Sequence, residues 1–270
     1  MRNKLTDELA ICGIHAVAAA AEYNPQKINR LFLREDRLQS LTNICRQLAE
    51  RKRPYKICEN DELERICKSV HHQGVVAMIE EPVVEGLTKE DLDLWASEGK
   101  TGLVLHSVGN DHNLGAIARA AAFFDVSFIV LNEKDSTFVM ETAAGTANEV
   151  RLTTSAYRVA EGGFEHLTVR KVTNTAAFLK DASKKLVTIG TDTRARMRIT
   201  DLSSIVKSAK LPSTGKRPGI ALVFGNEEEG LPKNVKDNCS YLLRIAGTGY
   251  IDSLNVSQSA ALFLHAVFEL

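Results

Sequence analysis

The stretch 221–261 holds two segments of one design, ALVFGNEEEGLP (221–232) and YLLRIAGTGYIDSLNVSQSAA (241–261). In each, an apolar strand-like run empties into a glycine-bearing polar loop that leads into helix-like sequence. In an open parallel α/β sheet, ligands sit outside the carboxyl ends of the strands, so two such loops close in sequence predict a shared pocket built largely of backbone. Upstream, LVLHSV (103–108), a helix over 114–124, SFIVL (127–131), a helix near 138–148, LTVRKV (167–172), a helix over 175–182 and LVTIG (186–190) continue the alternation. Strands apolar on both faces and separated by helices indicate a parallel sheet covered on both sides.

The first eighty residues read as a smaller α/β module, with helices over 14–23, 37–50 and 61–69 and strands over 28–33, 55–58 and 74–79. In 37–50, Leu38, Leu41, Ile44, Cys45 and Leu48 lay an apolar stripe along one helix face. Residues 81–100, with Pro82, Gly86, Gly99 and a surplus of acids, have the composition of a linker with one short helix. The expected organisation is a domain over 1–80, a linker over 81–100 and a larger domain over 101–270.

Lys plus Arg balances Asp plus Glu at 34 each, so any nucleic-acid surface must be a local patch. Cys12, Cys45, Cys58, Cys67 and Cys239 contain no C-x-x-C pair, which reads as reduced thiols in a cytoplasmic protein and disfavours structural zinc. No apolar run is long enough to span a membrane.

Three strand-to-helix joints carry the polar residues. In HSVGNDHNLGAIARAAAFF (106–124), Asn113 suits a helix N-cap and small residues allow close packing. Arg119 is the lone cation, either a donor to a phosphate or carboxylate or an ordinary surface arginine. In FGNEEEGLP (224–232), Glu227, Glu228 and Glu229 would repel a triphosphate and there is no G-K-[ST] ending, so ATPase chemistry is disfavoured. Such a loop suits ribose hydroxyls, an adenine edge or a cationic centre, or is an acidic turn capping a helix that starts near Pro232. In IAGTGYIDSLNVS (245–257), G-T-G lacks the third glycine of a dinucleotide fingerprint. Asp252 or Ser253 is expected to cap the last helix, with Asn255 and Ser257 in its first turn. The adjacent His71 and His72 diverge on any regular element and make a poor metal pair. The run Arg46, Arg51, Lys52, Arg53, Lys56, interrupted by Tyr55, and the alternating Arg194, Arg196 and Arg198 read as solvated faces that leave RNA contact open.

Together, NLGAIARAAAFF, LVFGNEEEGLP and RIAGTGYIDSLNVSQSAA resemble, in order and spacing, the three motifs of the SpoU (TrmH) family of RNA 2′-O-ribose methyltransferases of the SPOUT class. GIHAV and HHQGVVAMI, near the ends of the first module, resemble that family's L30e-like substrate-binding domain. The resemblance implies an α/β fold with a C-terminal parallel-sheet SPOUT domain carrying a deep trefoil knot, preceded by the smaller L30e-like domain. It implies a homodimer, S-adenosylmethionine as cofactor and tRNA or rRNA, rather than DNA, as partner. Gly225, Ile245 and Leu254 match positions that hold the cofactor by backbone. Asn113, Arg119, Glu227, Ser253 and Asn255 match the functional polar residues, with Arg119 acting on the ribose hydroxyl as a base or as an electrostatic clamp. Asp125 stands where the family generally has glycine, Ala246 replaces a common proline, and Gln258 replaces a small apolar residue. A knotted RNA-binding protein with little activity is the alternative, and a nucleotide-binding oxidoreductase rests only on the α/β pattern.

Overall fold

The computed structural model describes residues 2–3, 7–133, 139–141, 148–209 and 217–270. They form two compact units, Met1–Val83 with Leu152–His166, and Val84–Arg151 with Leu167–Leu270.

In the first unit, β1 (Arg2–Asn3), β2 (Glu8–Cys12), α1 (Ile14–Tyr23), β3 (Ile28–Leu33), α2 (Thr42–Glu50), β4 (Tyr55–Ile57), α3 (Asn60–Cys67) and β5 (Val75–Glu80) build a five-stranded sheet of order β1-β2-β5-β3-β4. Only β3 and β4 run parallel. The helix expected over 37–50 begins at Thr42, because Glu35–Arg37 is a separate 3₁₀ turn. Its stripe buries Cys45 and Leu48. Strand β2 is absent from the sequence reading. It is five residues long, opens on the charged Glu8 and is parted from the equally apolar α1 by Gly13 alone, so no separate apolar run marks it. His72 is a buried structural residue whose Nδ1 accepts from the Gly74 amide at 3.0 Å.

The second unit starts inside the stretch expected to be a linker. There β6 (Glu85–Gly86) pairs parallel with a later strand, and α4 (Lys89–Ser97) is the one short helix, closed by a Thr88–Asp91 capping box. Trp95 on α4 is fully buried, stacked on Phe128 at 5.2 Å, and its Nε1 donates to the Lys100 and Ile220 carbonyls. Next come β7 (Thr101–Leu105), α5 (Asp111–Phe123) and β8 (Phe128–Asn132). The helix expected near 138–148 is corrected at the residues described: β9 (Val139–Glu141) and β10 (Asn148–Val150) form an antiparallel pair, and 138 and 142–147 lie outside the described residues. Local alanine content favours helix, but strand pairing is a non-local choice that propensity does not report.

Helix α6 (Thr154–Ala160), capped by Thr153, returns the chain to the first unit, although the sequence reading assigned it to the 101–270 domain. Tyr157 packs on Phe164, and Gly162 lies so close to Ala19 of α1 that a Cβ there would meet it at 2.5 Å. Membership is decided by this long-range packing, which composition does not carry.

The second unit then resumes with β11 (Thr168–Val172), α7 (Thr175–Ala182), β12 (Val187–Thr191), β13 (Met197–Arg198), α8 (Leu202–Ser208), β14 (Ile220–Phe224), α9 (Lys233–Lys236), β15 (Tyr241–Arg244) and α10 (Val256–Phe268). Its main sheet has eight strands, all parallel, in the order β13-β15-β12-β14-β7-β8-β11-β6. Every residue of β7, β8 and β14 is buried, as strands covered on both faces require. Leu92, Trp95, Phe128, Leu179, Leu186 and Leu231 fill one core cluster. Phe263 of α10 packs edge-on against Phe224 of β14. Arg194, Arg196 and Arg198 are exposed at the β13 edge. Among the described residues no helix is long and apolar enough to cross a membrane.

Candidate active site

Strand order reverses around β7 and β14: the chain leaves β7 for β8 and β11 on one side, then crosses to β12, β14 and β15 on the other. Loops that leave the carboxyl ends of β7, β14 and β15 therefore converge on one crest, the place where open α/β sheets bind ligands. The His106 amide donates to the Phe224 carbonyl at 2.8 Å, extending the β7–β14 ladder into that crest.

Three residues, one from each strand-to-helix joint, join there. Asn113 Nδ2 donates to Glu227 Oε1, and Asn255 Nδ2 donates to Asn113 Oδ1 at 3.0 Å. Positions 114 and 142 residues apart in sequence thus share one hydrogen-bonded chain. Its members are half-buried or exposed, open to a ligand.

The helix starts differ from expectation in ways that matter for this chain of bonds. The N-cap of α5 is Asn110, whose Oδ1 accepts from the His112 amide at 2.8 Å, so Asn113 is a first-turn residue with its side chain released to reach Glu227. The N-cap of α10 is Asn255, rather than Asp252 or Ser253. Its Oδ1 accepts from the Ser257 amide at 2.8 Å and the Ser257 hydroxyl at 2.6 Å, leaving Nδ2 for Asn113. Ser253 is exposed and makes no side-chain hydrogen bond among the described residues.

Arg119 is exposed on α5, whose opposite side buries Leu114, Gly115, Ile117, Ala118 and Ala121. Six residues of helix separate it from Asn113 by about 9 Å along the axis and about 120° around it, so the two side chains leave α5 from different faces.

The second loop folds back on itself. Gly225 is buried, and a Cβ there would overlap the Gly230 carbonyl, so only glycine lets the loop close. Asn226, which sequence reasoning passed over, holds that closure. Its Oδ1 accepts from the Glu228 and Glu229 amides, and its Nδ2 donates to the Ser107 carbonyl, tying the second loop to the first. Its position in a Gly-Asn turn was the available signal. A second missed group borders the crest: Asn132 Nδ2 donates to Thr175 Oγ1 at 2.7 Å, and His106 Nδ1 lies 3.0 Å from the same oxygen.

In the third loop Ile245 is half-buried and Leu254 exposed. From Ala246 to Leu254 no backbone group bonds another backbone group among the described residues. At the root of this loop, Arg244 Nε is buried without a hydrogen-bond partner. Amides and carbonyls without backbone partners beside an orphaned donor fit a ligand held mostly by main chain, with acceptors of its own.

Residues 100–265 match the SpoU rRNA Methylase family, and residues 10–83 match the domain described as RNA 2′-O ribose methyltransferase substrate binding. The chain is 30% identical to the 23S rRNA (guanosine-2′-O-)-methyltransferase RlmB of Nitrosomonas europaea, over 98% of this chain and 92% of that one. It is 31% identical to the RlmB of Coxiella burnetii, over 96% and 94%. Among solved structures, an AdoMet-bound rRNA methyltransferase from Sinorhizobium meliloti superposes with a TM-score of 0.72 at 19% identity, covering 98% of this chain and 88% of that one. The SpoU methyltransferase AviRb from Streptomyces viridochromogenes, in complex with AdoMet, superposes at 0.69 and 18% identity, covering 97% and 90%.

Proposed function

The chain belongs to the SpoU rRNA methylase family, and from that premise we propose that this RNA 2′-O-ribose methyltransferase acts on a guanosine ribose of 23S rRNA. The target follows the relatives from Nitrosomonas, Bordetella and Coxiella that carry that activity in their names. The observation that carries the reading is the Asn113–Glu227–Asn255 chain of hydrogen bonds, which draws all three motifs onto one crest.

S-adenosylmethionine supplies an electrophilic methyl group on its sulfonium centre. Gly225, Ile245 and Leu254 are assigned to hold it, and the main chain of 246–254, without backbone partners among the described residues, and the tight Gly225 turn support that assignment. A ribose hydroxyl is a weak nucleophile near neutral pH, so the protein must polarise it and hold its oxygen in line with the methyl carbon. Arg119 is assigned to the hydroxyl and its flanking phosphate. A guanidinium keeps its proton in proteins, which favours a clamp over a base. Asn113, Glu227 and Asn255 fix the shape of the crest, and Ser253 is a ligand contact in the exposed third loop.

The 1–80 module is assigned as an L30e-like domain that holds the RNA. Insertion of β14 between β7 and β12, with β15 then pairing outside β12, supports a trefoil knot at the third loop. Phe123 of α5, Leu262 and Phe268 of α10, and Leu270 leave exposed apolar surface that supports a homodimer. Incubation with methyl-tritiated S-adenosylmethionine and an in vitro-transcribed 23S rRNA should give alkali-stable dinucleotides carrying label, and Arg119→Ala should abolish them with the fold intact. Absence of label in 23S, 16S and tRNA alike would overturn the reading.

A further inference from the structure

We propose that the β4 edge of the first unit, together with the turn before it, is a track for the sugar–phosphate backbone of the RNA, at a distance in sequence from the methyl-transfer site. The inference rests on the reading of this chain as an RNA methyltransferase and assigns the surface by which the first unit grips its substrate.

The chain as a whole is neutral, yet 46–56 (RQLAERKRPYK) holds five cations against one carboxylate. Residues 51–57 are all exposed. Among the described residues Arg46, Arg51 and Lys52 have no acidic partner. Arg53 donates only to the neutral Asn29 Oδ1 at 2.9 Å, and Lys56 pairs with Glu62. Strand β4 is the last strand of its sheet, with all three residues exposed, and Tyr55, 45% exposed, stands two residues after Arg53 and next to Lys56 in sequence. Cations without a carboxylate partner in the turn that leads to an exposed aromatic match a backbone-tracking, base-stacking surface for single-stranded or looped RNA.

Two simpler roles make different predictions. Cations at the C-terminus of α2 would complement its dipole, and Pro54 with Lys56 would blunt the sheet edge against pairing. Either role would appear in stability or aggregation rather than in RNA affinity, and neither calls for an exposed Tyr55.

The test uses the full chain, R51Q/K52Q/R53Q, Tyr55→Ala and Tyr55→Phe. Filter binding of a labelled in vitro 23S transcript across salt is combined with methyl transfer and calorimetry of S-adenosylmethionine. Loss of three phosphate contacts should weaken RNA binding by about tenfold or more at 0.15 M salt and flatten the log–log salt slope by about 2. KM for RNA should rise, while kcat at saturating RNA, cofactor affinity and melting temperature stay put. Tyr55→Ala should weaken binding at least about fivefold and Tyr55→Phe should match wild type, since stacking needs only the ring. Unchanged affinity and slope in the folded triple variant, or a loss confined to stability, would overturn the track. A wild-type chain that binds RNA but transfers no methyl would overturn the methyltransferase reading and leave the track standing; one that binds no RNA would overturn both.

Discussion

Asn255 does two jobs with one amide, and two substitutions separate them. Its Oδ1 caps α10 through the Ser257 amide, and its Nδ2 donates to Asn113. Asn255→Ala removes both. Loss of an N-cap costs about 1 kcal/mol, and loss of an exposed neutral hydrogen bond adds about 0.5 kcal/mol. A total of about 1.5 kcal/mol corresponds to a fall of about 3–6 °C in the melting of a unit this size. Asn255→Asp keeps the acceptor, and its charge suits the helix N-terminus. It has no donor for Asn113, however, and it brings a second carboxylate toward Glu227. Calorimetric melting and methyl transfer should therefore diverge: Ala loses stability and activity, whereas Asp recovers stability and stays at least about tenfold down in kcat/KM. Full activity in the Asp variant would refute the claim that the Asn113 bond organises the crest. A wild-type melting temperature in the Ala variant would refute the cap.

Gly225→Ala should raise the Kd for S-adenosylmethionine at least about tenfold by calorimetry, because the new Cβ overlaps the Gly230 carbonyl and forces the second loop open; a wild-type Kd would separate loop closure from cofactor binding. Asp125→Gly should stabilise the second unit by about 0.5–1 kcal/mol in denaturant unfolding. Asp125 has φ 54 and closes α5 in a Schellman motif, with the Val126 amide on the Ala121 carbonyl and the Asp125 amide on Ala122, so no stabilisation would place the strain elsewhere. Burial raises the Asp91 pKa, but hydrogen bonds from Arg170 and the Thr88 cap outweigh it and hold the carboxyl below its ordinary value. A depressed folded pKa gives stability that is present above the unfolded value, about 3.9, and lost as pH falls through the folded one. The stability gap between wild type and Asp91→Asn should therefore be flat from pH 7 to 5 and close below about pH 4, and a gap independent of pH would remove the ion pair from the account.

The apolar runs of the large sheet were legible because strands buried on both faces have no other composition. The helices Ile14–Tyr23 and Thr175–Ala182 and the strand Ile28–Leu33 have the bounds expected of them. The family resemblance had singled out Asn113, Glu227 and Asn255, which the structure joins by hydrogen bonds. What failed was local inference about non-local choices: β2, a short run that opens on Glu8 and is parted from the equally apolar α1 by Gly13 alone; β9 and β10, whose alanine-rich surroundings read as helix; and the two N-caps, displaced by three residues in α5 and by two or three in α10.

By itself, then, the sequence determined an α/β chain with three polar joints and a family to which they belong, since hydrophobic period and motif order are local properties. Only the tertiary structure decided that α6 leaves the second unit for the first, that Asn255 rather than Ser253 caps α10, and that Asn113 bonds Glu227 and Asn255 at once. Each depends on which groups far apart in sequence satisfy one another, a condition that no local pattern carries.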